Sequence, residues 1–176
     1  MTDEELRKAL RDHSYLEGDF VLRSGRRSTY YLDKYRFETR PDLLEALGQR
    51  IAAKVAEVEP ESARLAGPEL GAVALAASAS IASRLPFLIV RKAAKEYGTG
   101  NRLEGEFSAG ERVCLVEDVV TSGGAALEAV EALRGAGLEC GTAVCVVDRE
   151  EGGADALARA AVRLWPLFRA QDLHEA

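Results

Sequence analysis

One stretch of thirteen residues, from Val113 to Ala125, constrains this chain more than any other; it reads VCLVEDVVTSGGA. An apolar run ends in two adjacent carboxylates, Glu117 and Asp118, and a turn of small residues then leads into a helical pattern. In α/β sheets, ligands bind outside the carboxyl ends of the strands, and the start of a helix offers free N–H groups to a phosphate. Because carboxylates accept hydrogen bonds from sugar hydroxyls, the stretch predicts a site for a phosphorylated ribose.

Apolar runs alternate with helical patterns along the chain, which indicates a parallel sheet covered by helices on both sides. The predicted strands are 64–66, 87–90, 113–118, 143–147 and 162–167. The predicted helices are 3–13, one that begins at Pro41, 72–83, 123–136 and 153–160. A hairpin is expected from runs 20–23 and 29–33. Residues 91–110 lack periodicity and predict a long loop, with room for an edge hairpin.

The composition fits one globular domain. The chain has 176 residues, of which 47% are hydrophobic and 30% charged, and its net charge of −6 argues against nucleic acid as the main partner. No apolar run approaches the ~20 residues of a membrane span. The three cysteines lack CxxC spacing, and the first residues are charged, so we expect a reducing cytoplasm and no signal peptide.

Cations and glycines are concentrated between residues 91 and 101, which read RKAAKEYGTGN. A departing pyrophosphate needs cations that neutralise its developing charge, and a loop can close over the site and exclude water. On its own this run could equally be a solvated basic loop.

Three further segments are informative because of the order in which they occur along the chain. Residues 23–33 (RSGRRSTYYLD) predict a hairpin with a basic turn, residues 67–72 (GPELGA) link a strand to a helix, and residues 148–153 (DREEGG) follow an apolar strand. Each segment alone is a weak signal. Together with the two runs above, they resemble the type I phosphoribosyltransferases, and within them the group that uses orotate, over about residues 14–173.

The resemblance implies a fold, namely the α/β type I phosphoribosyltransferase fold with a central parallel sheet flanked by helices. It also implies a single domain over 1–176, with a small N-terminal hood at about 1–38 and a core at about 39–170.

The resemblance also implies site residues. Those implied for phosphoribosyl pyrophosphate (PRPP) are Glu117, Asp118, Thr121, Ser122, Gly123, Gly124, Ala125, Arg91, Lys92, Lys95 and Tyr97. Those implied for orotate are Arg23, Tyr31, Leu32, Thr121 and Arg149. Catalytic roles fall to Lys92, Lys95, Arg91 and Asp118, the last also as a candidate acceptor of the orotate N1 proton. Mg²⁺ is expected to bind through PRPP, with Glu117 or Asp118 as candidate contacts.

Four positions depart from the family pattern. Tyr97 stands where many members have His, Ala125 where a hydroxyl residue is common, Arg23 where Lys is common, and Ala72 where Gly is common. Two arginines at the base site, Arg23 and Arg149, favour an acidic pyrimidine over a neutral purine.

The implied activity is that of an orotate phosphoribosyltransferase, which makes orotidine 5′-monophosphate and pyrophosphate in de novo pyrimidine (UMP) biosynthesis. The resemblance further implies a homodimer in which the loop with Lys92 and Lys95 reaches the neighbour's site. Two alternatives stay open. One is a non-catalytic regulator that senses PRPP, an alternative that stays open because Tyr97 replaces the usual His. The other is a phosphoribosyltransferase for another base.

Overall fold

Strands and helices alternate along the chain in a computed structural model that describes residues 1–21, 25, 27–93 and 102–174. The strands are β1 (Tyr15–Val21), β2 (Arg27–Leu32), β3 (Arg64–Pro68), β4 (Phe87–Val90), β5 (Leu103–Glu104), β6 (Arg112–Val120), β7 (Glu139–Asp148) and β8 (Arg163–Arg169). The helices are α1 (Asp3–Ser14), α2 (Tyr35–Glu38), α3 (Pro41–Val58), α4 (Gly71–Ser83), α5 (Gly124–Gly135), α6 (Gly153–Arg159) and α7 (Ala170–His174).

Six strands form the central sheet in the order β5-β4-β3-β6-β7-β8. All neighbouring pairs are parallel except β4 and β5, which pair antiparallel at the edge. The predicted α/β class with a mostly parallel sheet is therefore confirmed. Because the strands are parallel, their carboxyl ends meet at one edge, where the motif residues that follow β3, β4, β6 and β7 are gathered.

The core lies on both faces of the sheet, and β6 shows how the sequence builds it. Cys114 and Val116 point into an apolar cluster with residues of α1, α3, α4 and α7. Val113 and Leu115 point into a second cluster with α5 and residue Leu157 of α6. This alternation is the period of two that a strand imposes on its side chains.

The N-terminal helix is tied to the core and to the C-terminus. A capping box between Thr2 and Glu5 begins α1, and Leu6 and Leu10 are fully buried in the first cluster. The guanidinium groups of Arg7 and Arg11 donate hydrogen bonds to backbone carbonyls of α7 at 2.6–2.7 Å. The segment expected as a hood therefore shares the core through α1, whereas β1 and β2 form a separate two-stranded sheet.

The predicted element boundaries needed several corrections. The hairpin pairs from Tyr15 with Leu32 onward, not from residue 20, and its register shifts between Glu17 and Phe20. Strands β6, β7 and β8 each extend beyond their apolar runs. The short helices α2 and α7 were not predicted, because four or five residues are too few to show a helical period. No helix among the described residues has the length and hydrophobicity needed to cross a membrane.

Candidate active site

A cavity of about 540 Å³ opens where β3, β4 and β6 end. Its lining includes most of the residues that the sequence assigned to a phosphoribosyl site, namely Glu117, Asp118, Thr121, Ser122, Gly123, Gly124, Ala125, Arg91 and Lys92. The fold therefore brings together segments that lie some 30 residues apart in the chain. The lining also includes Glu69 of the 67–72 segment, together with Lys34, Tyr35 and Arg102, which the sequence did not single out.

Glu117 lies near the carboxyl end of β6, is only 6% exposed and lines the cavity. Burial, reinforced by the neighbouring charge of Asp118, raises the pKa of Glu117 to about 8. Its Oε1 has no hydrogen-bond partner among the described residues. A buried acceptor without a partner is costly unless a ligand supplies a donor, so Glu117 is suited to a sugar hydroxyl.

Asp118 is also buried, but both of its oxygens are held by the protein. Oδ1 accepts a hydrogen bond from the backbone N–H of Val119 at 2.5 Å, and Oδ2 accepts one from Nζ of Lys34 at 2.6 Å. Burial disfavours the charged form of Lys34, but the attraction of Asp118 and their hydrogen bond outweigh it, so the pKa of Lys34 is raised. The two adjacent residues therefore differ. Glu117 has an oxygen that can accept a hydrogen bond from a ligand, whereas both oxygens of Asp118 already accept hydrogen bonds from the protein.

The turn after β6 forms the second half of the site. Gly123 has a φ of +85°, a left-handed conformation that glycine adopts without strain, and α5 begins at the next residue. Thr121, Ser122, Gly124 and Ala125 are exposed. The first N–H groups of a helix have no partner within it and lie at its positive end, so this turn can bind a phosphate.

Gly153, at the end of the 148–153 segment, packs against that turn. A methyl group on Gly153 would lie 2.5 Å from the carbonyl oxygen of Thr121 and 2.5 Å from a methyl of Val120. It would also lie 3.3 Å from the backbone nitrogen of Gly123. Gly153 therefore allows the start of α6 to pack directly on the phosphate turn.

The basic loop begins at the cavity. Arg91 forms an ion pair with Glu104 at 3.4 Å, and the backbone N–H of Lys92 donates to Oε1 of Glu69 at 2.6 Å. The side chain of Lys92 is exposed. Lys95 and Tyr97 lie outside the described residues, so their predicted roles stay predictions.

The residues predicted to bind the orotate base do not all lie at the cavity. Arg149 follows β7, its backbone N–H donates to the carbonyl of Val120 at 2.9 Å, and its guanidinium lies 4.5 Å from the ring centroid of Tyr30. Tyr31 is 42% exposed, whereas Leu32 is buried in the first core cluster. Of the described base-site candidates, only Thr121 lines the cavity itself. Arg23 lies outside the described residues.

Three charged residues that the sequence did not single out lie at or beside this site: Lys34, Glu38 and Arg102. Lys34 directly precedes α2 and Glu38 ends it. Glu38 is 5% exposed, and its Oε1 has no partner among the described residues. Arg102 lines the cavity and donates from Nε to the carbonyl of Arg91 at 3.1 Å. The signal available for Lys34 and Glu38 was a run of charged residues between the hairpin and Pro41, which is ordinary for a surface connection.

Comparison with known proteins agrees with this geometry. Residues 42–162 match the phosphoribosyl transferase domain family. A Methanocella arvoryzae protein named orotate phosphoribosyltransferase is 48% identical over 172 residues, which cover 97% of each chain. A crystal structure of the Mycobacterium tuberculosis orotate phosphoribosyltransferase with Fe(III) dicitrate has a TM-score of 0.85 and 32% identity, covering 97% of this chain and 98% of that one.

A second structure of the Mycobacterium tuberculosis enzyme, in complex with PRPP, has a TM-score of 0.82 and 29% identity, with 98% of each chain covered. The family match spans more than half of the sequence, and the relatives match it over nearly their full length. The chain therefore belongs to the phosphoribosyltransferase family, in its orotate phosphoribosyltransferase group.

Proposed function

We infer that this chain is an orotate phosphoribosyltransferase, which transfers the phosphoribosyl group of PRPP to orotate and releases pyrophosphate. The product is orotidine 5′-monophosphate, a precursor of UMP in pyrimidine biosynthesis. The observation that carries this inference is one cavity in which a buried carboxylate pair, a helix N-terminus and the start of a basic loop meet. The relatives' names agree with it over nearly the whole chain.

The phosphoribosyl half of the substrate fits the β6–α5 segment. The 5-phosphate would accept hydrogen bonds from the backbone and hydroxyl groups of Thr121–Ala125, where the helix dipole also favours negative charge. The ribose hydroxyls would donate to the unpartnered oxygen of Glu117. Ala125 offers only its backbone N–H at a position where a hydroxyl is common in the family.

The leaving group is pyrophosphate, and the cations around the cavity suit it. As the bond between C1 and the diphosphate oxygen breaks, C1 gains oxocarbenium character and negative charge grows on the diphosphate. Arg91 and Lys92 are placed at the cavity, and the sequence puts Lys95 on the same loop. Cations positioned before the reaction stabilise that developing charge without reorganisation, and this is the principal catalytic contribution we assign to the protein.

Orotate would attack C1 through N1, so an N1–C1 bond replaces the bond to the diphosphate and the N1 proton leaves. Arg149 can pair with an acidic pyrimidine, and Tyr30 supports its guanidinium. The roles of Arg23, Tyr31 and Leu32 at the base remain proposals. Asp118 is a weak candidate for the proton acceptor, because Val119 and Lys34 already occupy its two oxygens.

We further propose that Mg²⁺ assists, that the chain forms a homodimer, and that it acts in the cytoplasm. The described residues include no cluster of three or more His, Cys, Asp or Glu side chains arranged to hold a metal by themselves. Glu117 and Asp118 nevertheless line the cavity with carboxyl oxygens, the kind of ligand that suits a hard cation arriving with the substrate. Mg²⁺ bound in this way would neutralise diphosphate charge, with Glu117 or Asp118 as its protein contact.

The acceptor base is tested by measuring pyrophosphate release from PRPP with orotate, uracil or hypoxanthine as the only base. We expect release with orotate and at least about 100-fold less with the other two, because a site built around an arginine rejects bases that lack a carboxylate. Comparable release with uracil or hypoxanthine would reassign the acceptor. PRPP binding without release from any base would favour the sensing regulator.

A further inference from the structure

Acidic side chains are crowded at the carboxylate pair near the end of β6. Glu38 of α2 is buried beside it, and a methyl group built on Gly71 would overlap the Asp118 carboxylate and lie 2.8 Å from Oε1 of Glu38. The same point lies 3.1 Å from Nζ of Lys34. Two carboxyl groups and one ammonium therefore converge on the backbone of Gly71, with Glu117 next to Asp118 in the chain.

Lys34 is the cation that the structure places against this cluster. Its Nζ lies 2.6 Å from Oδ2 of Asp118 and 5.5 Å from the ring centroid of Tyr35. The side chain of Asp118 is 5% exposed and that of Lys34 is 32% exposed, so water screens the attraction between the two charges only weakly around Asp118. Both residues also line the cavity. Removing one partner of such a pair leaves the other charge buried and uncompensated.

Local packing keeps Lys34 at this position. Phe37 is fully buried and anchors α2 in the core, and Asp33 forms an ion pair with Arg36 at 3.2 Å across the same turn. The start of α4 passes close by, because Gly71 has no side chain to hold it away. The fold therefore joins residues that are 84 positions apart in the sequence.

Resting on the function inferred above, we propose that Lys34 is a positioning residue of the PRPP site, which anchors Asp118 and leaves Glu117 as the free acceptor for the ribose. Lys34 keeps Oδ2 of Asp118 turned toward α2 and supplies positive charge beside a cavity that must admit a polyanion. Without the ammonium, Asp118 would face Glu117 and Glu38 with no neutralising partner. Its carboxylate would then move, and the cavity would repel PRPP.

The kinetic test compares Lys34→Met and Lys34→Arg with the unaltered chain in orotidine monophosphate synthesis. We expect Lys34→Met to raise KM for PRPP by about tenfold or more, because truncating a buried charge pair is costly. KM for orotate should stay within about twofold, and Lys34→Arg should recover most of the loss because it restores the cation. The control is Lys54→Met, which removes a lysine that pairs with Glu57 at 2.7 Å on α3. It should leave both KM values unchanged.

A second measurement does not depend on the reaction. Thermal unfolding of Lys34→Met, Asp118→Asn and the double variant forms a double-mutant cycle in the absence of ligand. We expect the double variant to lose clearly less stability than the sum of the single losses. An unchanged KM for PRPP in Lys34→Met, an equal rise in both KM values, or additive losses in the cycle would each overturn the proposal. If the unaltered chain does not use orotate, the inferred function fails, and the cycle still decides whether Lys34 anchors Asp118.

Discussion

Two adjacent carboxylates on one strand have different chemistry because their surroundings differ. Glu117 has a buried oxygen without a described partner, whereas both oxygens of Asp118 are held by Val119 and Lys34. A pair of acidic letters in a sequence cannot reveal this division, since Lys34 reaches Asp118 from another part of the chain. This difference explains how Glu117 can bind a ligand while Asp118 is held in place by the protein.

Lys92 is expected to act on the leaving group rather than on the product complex. Lys92→Ala should lower kcat by about 100-fold, as expected when one pre-positioned charge at the developing anion is lost. Binding of orotidine 5′-monophosphate should change by less than about threefold, because that ligand has no diphosphate. Steady-state kinetics and titration calorimetry measure the two quantities, with Lys8→Ala on the exposed face of α1 as the control. Equal losses in both would contradict the assignment.

Glu38 should make stability depend on pH. Burial, followed by the charge of Asp118, raises the pKa of Glu38 from an ordinary 4.5 to about 8. Between these values the folded chain holds a proton that the unfolded chain releases, so the contribution of Glu38 to stability falls as pH rises from about 4.5 to 8. Glutamine mimics the protonated form. Glu38→Gln should therefore raise Tm by about 3 °C or more at pH 8 and much less at pH 5.

The measurement is thermal unfolding of the ligand-free chain in a chelator at both pH values. Glu45→Gln, on an exposed position of α3, serves as the control. A difference between Glu38→Gln and the unaltered chain that is the same at pH 5 and pH 8 would show that Glu38 titrates normally.

At the scale of elements, the two glycine-rich turns act as one packed unit. Gly153→Ala places a methyl group 2.5 Å from the carbonyl oxygen of Thr121, so α6 and the phosphate turn must separate. Overpacking of this kind costs about 1–3 kcal/mol. We expect a lower Tm together with a rise in KM for PRPP, measured by thermal unfolding and steady-state kinetics. Gly135→Ala is the matched control, because its Cβ would meet open space; a PRPP site unaffected by Gly153→Ala would contradict the packing argument.

The sequence predicted elements where a period or an apolar run was long enough to read. It located β6, the turn at Thr121–Ala125 and α5, because a fully buried strand and a glycine turn leave local signals. It missed α2, since four residues show no period and the burial of Phe37 and Glu38 depends on elements far away in the chain. The anchoring of Asp118 by Lys34 is a tertiary contact, and no local pattern could have indicated it.

At the scale of the molecule, a sheet buried on both faces encloses all three cysteines. Burial raises the pKa of the Cys140 thiol to about 11, and it also raises the pKa values of the Cys114 and Cys145 thiols well above their ordinary value. Because the thiolate is the reactive form, we expect no reaction of the folded chain with Ellman's reagent at pH 8 over minutes. Unfolding in guanidinium should release three reactive thiols, the number in the sequence. Rapid labelling of the folded chain would show that the core opens.

The activity inferred for this chain is the joining of orotate to the phosphoribosyl group of PRPP. The most direct test follows the ultraviolet absorbance of orotate after purified protein, PRPP and Mg²⁺ are combined, with each component omitted in turn. We expect a loss of orotate absorbance that requires the protein, PRPP and Mg²⁺, which would also show that Tyr97 is compatible with turnover. No loss of absorbance from a folded chain that binds PRPP would contradict it.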